Sequence, residues 1–263
     1  MNPDENDGWR QNEISSNCPY CGEFVAFSDV DAGALTLCPH CQEVLLVPTT
    51  DGQAAIKLPI PITTPRLILR RLVADDVGDL PELESEERLR YLTGAPRNAE
   101  ELREAIKSDQ GFVEAQFDRG SGWLRLGAEL KDHRRIIGSL YIAYGREKPG
   151  AIPDRQLRID GLIIAGNVQR QGYGLEMLNA VLKFGFCGIG VRRITTNCLS
   201  LDEAGYGLLT KAGMRLEGEA IQAHYATINL EDTNEEELVD VSYFAMLKTE
   251  YDALVAEQEK SPG

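Results

Sequence analysis

Four of the six cysteines sit in two C-P-x-C pairs, Cys18-x2-Cys21 within NCPYCGEF and Cys38-x2-Cys41 within LCPHCQEV, with sixteen residues between the pairs. No other feature restricts a stretch of this chain so tightly, because four thiolates at this spacing converge on one tetrahedral Zn2+. Each pair sits on a tight turn, and Gly22 after the first suits the sharp backbone. Two disulfides are the alternative, which a reducing compartment disfavours. Between the pairs, FVAFSDVDAGALTL holds two strand-like runs around Asp31-Ala32-Gly33, which predicts a hairpin turn there. A unit this small buries too little apolar surface to fold unaided, so the metal supplies folding free energy. With Cys18, Cys21, Cys38 and Cys41 all ligating, no coordination position stays open, and the zinc is expected to be structural. His40, inside the second pair, is expected to be an exposed polar residue while four cysteines are available.

Around this metal module the chain divides by composition. Residues 1–14 are acidic and polar and are expected to be disordered; the zinc ribbon occupies 15–48. Three prolines and a glycine in PTTDGQAAIKLPIP mark a linker over 49–61. A larger domain follows over 62–252, and 253–263 reads as a C-terminal tail. No apolar run approaches the ~20 residues of a membrane span. MNPDENDGWRQNE has neither a basic region nor an apolar one, so no secretory signal is read there and a cytoplasmic location is expected. The formal net charge of −15 argues against a nucleic-acid partner. It would steer a cationic amine favourably, although acidity also serves plain solubility.

From Thr64 the pattern becomes regular. RLILRRL alternates like a strand, and ADDVGDLPELESEERLRYL predicts one or two short helices with Asp75 and Asp76 near an amino terminus. Asn98 is placed to cap a helix through AEELREAIKSDQGFVEAQF. WLRLGAELKD, RRIIGSLYIAYG and RQLRIDGLIIAG then read as three meander strands. LEMLNAVLKFGF predicts a helix with a buried face at Leu175, Leu178, Val181, Leu182 and Phe186. RRITTNCLS is a strand, DEAGYGLLTKAG a helix ending at Gly213, and MRLEGEAIQAHYATI and ELVDVSYFAMLK close the sheet around the acidic insert LEDTNEEE. This order is α+β, or mixed α/β, with a mostly antiparallel central sheet, and it is not a doubly wound dinucleotide fold. Trp123 reads as core, Cys187 and Cys198 as small buried hydrophobes, and His133 and His224 as surface residues.

NVQRQGYGLEML lies where an apolar strand gives way to an amphipathic helix. It lacks the third glycine of G-x-G-x-x-G and the lysine of a Walker loop. Gln169-Arg170-Gln171-Gly172-Tyr173-Gly174 fits Q/R-x-x-G-x-G/A, in which small residues let backbone amides and a helix N-terminus face a diphosphate. Arg170 adds charge.

With TTPRLILRRL at the start, GLIIAGNVQRQGYGLEML in the centre, and RRITTNC, LLTKAGMRLEG and YFAMLKTEY at the end, residues 62–252 resemble the GCN5-related N-acetyltransferase (GNAT) superfamily. Within it the chain is most similar to the group that acetylates ribosomal-protein amino termini, and to that group's small-molecule relatives. The amino-terminal module is similar to compact zinc ribbons attached to many bacterial proteins, and an adaptor role, a dimer contact or no separate role are its open alternatives. The resemblance implies acetyl-CoA as donor and a primary amine, of a peptide, a protein or a small molecule, as acceptor. It places Leu162, Ile163 and Ile164 beside the pantetheine and Gln169, Arg170, Gln171, Gly172, Tyr173 and Gly174 around the diphosphate. The family's Asn-x-x-Ser falls on Asp202 and Gly205, so both residues are lost. Tyr206, one position along, is the candidate acid at the sulfur, and Glu217 the candidate base at the amine. The acidic loop over 231–237 suggests a cationic acceptor. A module that binds acetyl-CoA or a protein without catalysis is the alternative.

Overall fold

The alternating residues of LILRR, SGWLRLGAEL, IIGSLYIAYG and QLRIDGLII build the strands expected of them. The computed structural model describes residues 13–28, 35–41, 43–48, 56–57, 60–80, 100, 103–104, 106, 121–145, 156–227 and 236–260. Its thirteen described strands are β1 (Glu13–Asn17), β2 (Phe24–Ser28), β3 (Leu35–Leu37), β4 (Val44–Leu46), β5 (Ile56–Lys57), β6 (Ile62–Thr63), β7 (Leu67–Arg71), β8 (Ser121–Leu130), β9 (Ile136–Gly145), β10 (Gln156–Ile164), β11 (Arg193–Leu199), β12 (Arg215–Thr227) and β13 (Glu236–Leu247). The longer helices are α1 (Tyr173–Lys183), α2 (Glu203–Lys211) and α3 (Lys248–Lys260). Eight strands form one sheet in the order β12-β13-β11-β10-β9-β8-β7-β6. Only β10 and β11 run parallel, because α1 crosses between them; the other neighbours are antiparallel.

One face of this sheet carries the main core. Leu67 and Leu69, Leu124 and Leu126, Leu140 and Ile142, and Leu157 and Ile159 point to it from successive strands, and Met177, Leu178, Val181 and Leu182 of α1 cover it. Of the stripe expected on α1, Leu178, Val181, Leu182 and Phe186 are buried and Leu175 is half-buried. The helix widens into a π turn over Phe184–Ile189. Gly185 lies so close to β11 that a Cβ there would stand 2.7 Å from Ile194 Cδ1. On the opposite face Leu72, Val77, Leu80, Ile106, Ile136 and Ala165 form a second cluster.

The segment beginning ADDVGD starts as a 3-10 helix, Ala74–Asp79, and its continuation over 81–99, with Asn98, lies outside the described residues. Asp76 is held by Arg70 at 2.7 and 2.8 Å and accepts the Val73 N–H at 2.8 Å. The tail expected from 253 is helical through Lys260, since Tyr251 and Leu254 pack on the core and Tyr251 stacks 4.9 Å from Phe186. Trp123 lies on β8, but its side chain is outside the described residues.

The amino-terminal segment also pairs differently. Among the described residues no ladder joins β2 to β3; β1 pairs with β2, and β3 with β4. Each C-P-x-C pair therefore forms the turn of its own hairpin, while residues 31–33 lie outside the described residues. Strand β1 begins at Glu13, within the stretch expected to be disordered. Ile56–Lys57 of the expected linker adds a third strand to β3-β4, giving the edge of β4 a partner.

Candidate active-site cleft and metal centre

A bulge opens the sheet at its centre. Asp160 pairs with Tyr141 and Ile163 with Ser139, so Gly161 and Leu162 together oppose Leu140 alone. The extra residue needs a backbone that bends sharply, and Gly161 supplies it at φ +59°. Strand β10 pairs with β11 only from Gln156 to Arg158, and beyond that the two part. The gap is a cleft of about 520 Å³, walled by Arg158, Asp160 and Leu162 of β10, Thr196 to Leu199 of β11, Asp202 just before α2, and Gly205 and Leu208 of α2. His224 and Tyr243 close it from β12 and β13.

The strand leads from this cleft straight into the glycine loop. Gln169 Nε2 donates to the Ile164 carbonyl at 3.1 Å and so ties the loop to the end of β10. Arg170 at φ +60° and Gly172 at φ +83° both adopt left-handed backbone, which turns successive amides to one side. Gly172 is the N-cap of α1 and offers no side-chain acceptor. Among the described residues the amides of Gln171, Gly172, Tyr173, Gly174 and Leu175 meet no acceptor; the first intrahelical bond runs from Glu176 N to Gly172 O at 3.1 Å. Five free N–H groups at the positive end of a helix form an anion cradle. Of the three residues expected beside a pantetheine, Leu162 lines the cleft, whereas Ile164 is buried in the main core and Ile163 packs on the opposite cluster.

The two candidate catalytic side chains lie elsewhere. Tyr206 is 38% exposed on α2 and packs edge-on against Phe244 at 5.1 Å, turned about 100° from Gly205 as its position on the helix dictates. Glu217 is bound by Arg193 (Nη1 to Oε1, 2.9 Å) and Arg215 (Nη2 to Oε1, 3.0 Å). The Arg193 hydrogen bonds outweigh partial burial and hold its carboxyl below the usual range, which makes it a weak base. Neither residue is part of the cleft wall. Asp202 and Gly205, which stand at the positions of the lost Asn and Ser, form a helix cap: the Gly205 amide donates to Asp202 Oδ1 at 2.8 Å.

His224 and Cys187 differ from expectation. Residues 221–223 bulge from β12 opposite Asp240, whose Oδ1 accepts the Gln222 amide at 2.7 Å, and this brings half-buried His224 over the cleft. His133 is exposed in its turn. Cys187 is exposed at the end of the π turn instead of buried. Cys198 faces the cleft, where burial, aided by the Asp202 charge, pushes its thiol up to about 11.

At the other end of the chain the four C-P-x-C sulfurs lie within 4.8 Å of one another. Cys18 Sγ stands 3.7 Å from Cys41 Sγ, and Cys21 Sγ 3.8 Å from Cys38 Sγ. The four thiols are free of disulfides. A tetrahedron with Zn–S bonds of about 2.3 Å has edges of about 3.8 Å, which these two pairs match, and the four sulfurs together are close enough to converge on one ion. The Tyr20 and His40 amides reach Cys18 Sγ and Cys38 Sγ, each at 3.4 Å, in the way backbone donors support sulfurs that could ligate a metal. His40 itself is exposed, its ring on the Phe24 carbonyl at 3.3 Å.

The model of the acetyltransferase (GNAT) domain matches residues 66–215, from the start of β7 through the bulge, the glycine loop and α2. The chain belongs to the GNAT acetyltransferase family. An uncharacterised N-acetyltransferase of Bacillus subtilis, YoaA, is 29% identical over 175 residues, covering 66% of this chain and 93% of its own. Among solved structures, the ribosomal L7/L12 alpha-N-protein acetyltransferase RimL superposes with a TM-score of 0.55 at 20% identity, over 72% of this GNAT chain and 93% of its own. Spermidine N-acetyltransferase from Vibrio cholerae, in complex with CoA and spermine, does so with 0.54 at 18%, over 72% and 99%. These likenesses agree with the mixed α+β GNAT fold described above. Among the described residues no helix is long and apolar enough to cross a membrane.

Proposed function

We propose that this GNAT chain transfers an acetyl group from acetyl-CoA to a primary amine by direct attack in a ternary complex. One observation carries the reading: a strand edge freed by the Gly161–Leu162 bulge runs directly into five unpaired amides at the start of α1. A pantetheine would take the free edge of β10 along Leu162 to Ile164, and a diphosphate the cradle formed by Gln169 to Gly174. Arg170, exposed in that loop, adds positive charge.

The amine nitrogen forms a bond to the thioester carbonyl carbon, the carbon–sulfur bond breaks, and CoA leaves as the thiolate. One proton must leave the nitrogen. Asp160 is paired with Arg158 at 2.6 Å, Asp202 caps α2, and the Cys198 thiol is pushed up to about 11. His224 brings an imidazole, a ring nitrogen able to take a proton, to this wall, and we assign the proton to it. Tyr206 and Glu217 hold the acid and base roles less well, because each is engaged outside the cleft wall.

A cationic acceptor suits the net charge of −15 and the acidic stretch over 231–237, which itself lies partly outside the described residues. Peptide amino termini and polyamines are both of this kind, and proteins of similar fold are named for each. A second reading, a binder of acetyl-CoA without catalysis, is favoured by Gly205, which leaves that position of α2 without a hydroxyl. Calorimetry with acetyl-CoA, followed by release of free CoA thiol over an amine panel, separates the two. Turnover supports the transferase, binding without turnover supports the binder, and absence of saturable binding removes both.

At the amino terminus we propose a structural Zn2+ held by Cys18, Cys21, Cys38 and Cys41. Four thiolate ligands leave no position for a reacting water.

A further inference from the structure

Thr64 and Arg66 stand at the head of β7, yet their polar groups turn to the start of α1. Thr64 Oγ1 donates to Glu176 Oε1 at 2.6 Å, and the Arg66 amide reaches the same oxygen at 2.9 Å. Arg66 Nε donates to Glu176 Oε2 at 2.6 Å, and its Nη1 donates to the Gln171 carbonyl at 3.0 Å. The guanidinium carbon lies 4.1 Å from the Tyr173 ring centroid, and Nη2 would stand 3.5 Å from a Cβ on Gly172. One arginine thus touches both ends of the segment that carries the five free amides.

Two physical consequences follow. In a planar trans peptide the carbonyl and the next N–H point in opposite directions. Holding the Gln171 carbonyl on the β7 side therefore turns the Gly172 amide away from β7. In addition, Glu176 places a negative charge in the first turn of α1, where it would repel a bound diphosphate; Arg66 neutralises it at contact distance. We propose that Arg66 is a positioning residue for cofactor binding, a brace that aims the amides of the loop and cancels the Glu176 charge. This deepens the acetyl-CoA reading and rests on it.

The test uses the full chain with Arg66→Ala, Arg66→Lys and the double variant Arg66→Ala/Glu176→Gln. Donors are acetyl-CoA and acetyl-pantetheine, which carries the same thioester without phosphates. Arg66→Ala is expected to raise the Kd and KM for acetyl-CoA about tenfold or more, with kcat little changed and the KM for acetyl-pantetheine unchanged. Arg66→Lys should recover part of the affinity, since charge returns without the two-pronged geometry. The double variant should bind better than Arg66→Ala, because the uncompensated carboxylate is gone. An Arg66→Ala protein with lowered Tm but unaltered acetyl-CoA affinity overturns the brace, and so does an equal loss with both donors. Should Arg66→Ala not fold, Arg66→Lys decides on the same two donors. A wild-type chain that does not bind acetyl-CoA sinks the transferase reading and the brace with it, whereas wild-type binding matched by every variant sinks the brace alone.

Discussion

At the scale of single residues, Gly172 carries the most specific demand. Its φ of +83° disfavours any side chain, and a carboxylate there would face the anion cradle, so Gly172→Asp is expected to abolish acetyl-CoA binding measured by calorimetry. Proton transfer separates His224 from Glu217. His224→Ala should lower kcat by about 10²–10⁴, and a greater loss from Glu217→Gln than from His224→Ala would reverse the assignment. Glu176 gives a pH signature. Burial acts to raise its carboxyl, but hydrogen bonds from Thr64 and Arg66 outweigh that and hold it below the usual range. A carboxyl with a folded pKa below its unfolded value stabilises above the unfolded value, near 4.3, and that contribution is lost as pH falls through the folded pKa. Glu176→Gln should therefore flatten the acid limb of Tm against pH below about 4.5, and an unchanged acid limb would contradict this. The Gly-x-Gly turn and the clustering of the Cys pairs were legible in the sequence because each is formed by neighbours in the chain. Arg66 was printed in TTPR, but its partner lies 110 positions away, and no local pattern marks such a pair.

At the scale of elements, the alternation of β8, β9 and β10 and the apolar stripe of α1 were readable because periodicity reports which face is buried. The bulge at Gly161–Leu162 was not, since one glycine inside a strand pattern does not say which strand it will turn from. The same limit hid the bulge of β12 that carries His224. It also hid the pairing of the cysteine hairpins, where two strand-like runs on either side of a turn found other partners. Gly185 is a test of packing at this level. Gly185→Ala would push a methyl group against Ile194 and Leu157, where α1 meets the sheet. A loss of about 1–3 kcal/mol in chemical denaturation is expected, and a neutral result would show that the π turn gives way instead.

At the scale of the whole molecule, a packed apolar sheet stands in one chain with a four-cysteine cluster beside a core as small as Ile14, Val25, Leu45 and Val47, and the proposed Zn2+ would supply the stability that so small a core lacks. Strong chelation, or Cys38→Ser, is expected to unfold the amino-terminal unit while the acetyltransferase transition persists in calorimetry, with about one Zn2+ per chain lost by elemental analysis. A single transition that shifts as a whole would show instead that the two units are coupled. The sequence by itself determined the four-cysteine cluster, the meander of strands, the glycine loop and the family, because each is written in local spacing. Only the tertiary structure decided that β10 and β11 part, that His224 closes the cleft while Glu217 is tied up in ion pairs, and that Arg66 reaches the loop. Those features depend on which distant segments pack together, and hydrophobic periodicity specifies a face to be buried without naming its neighbour.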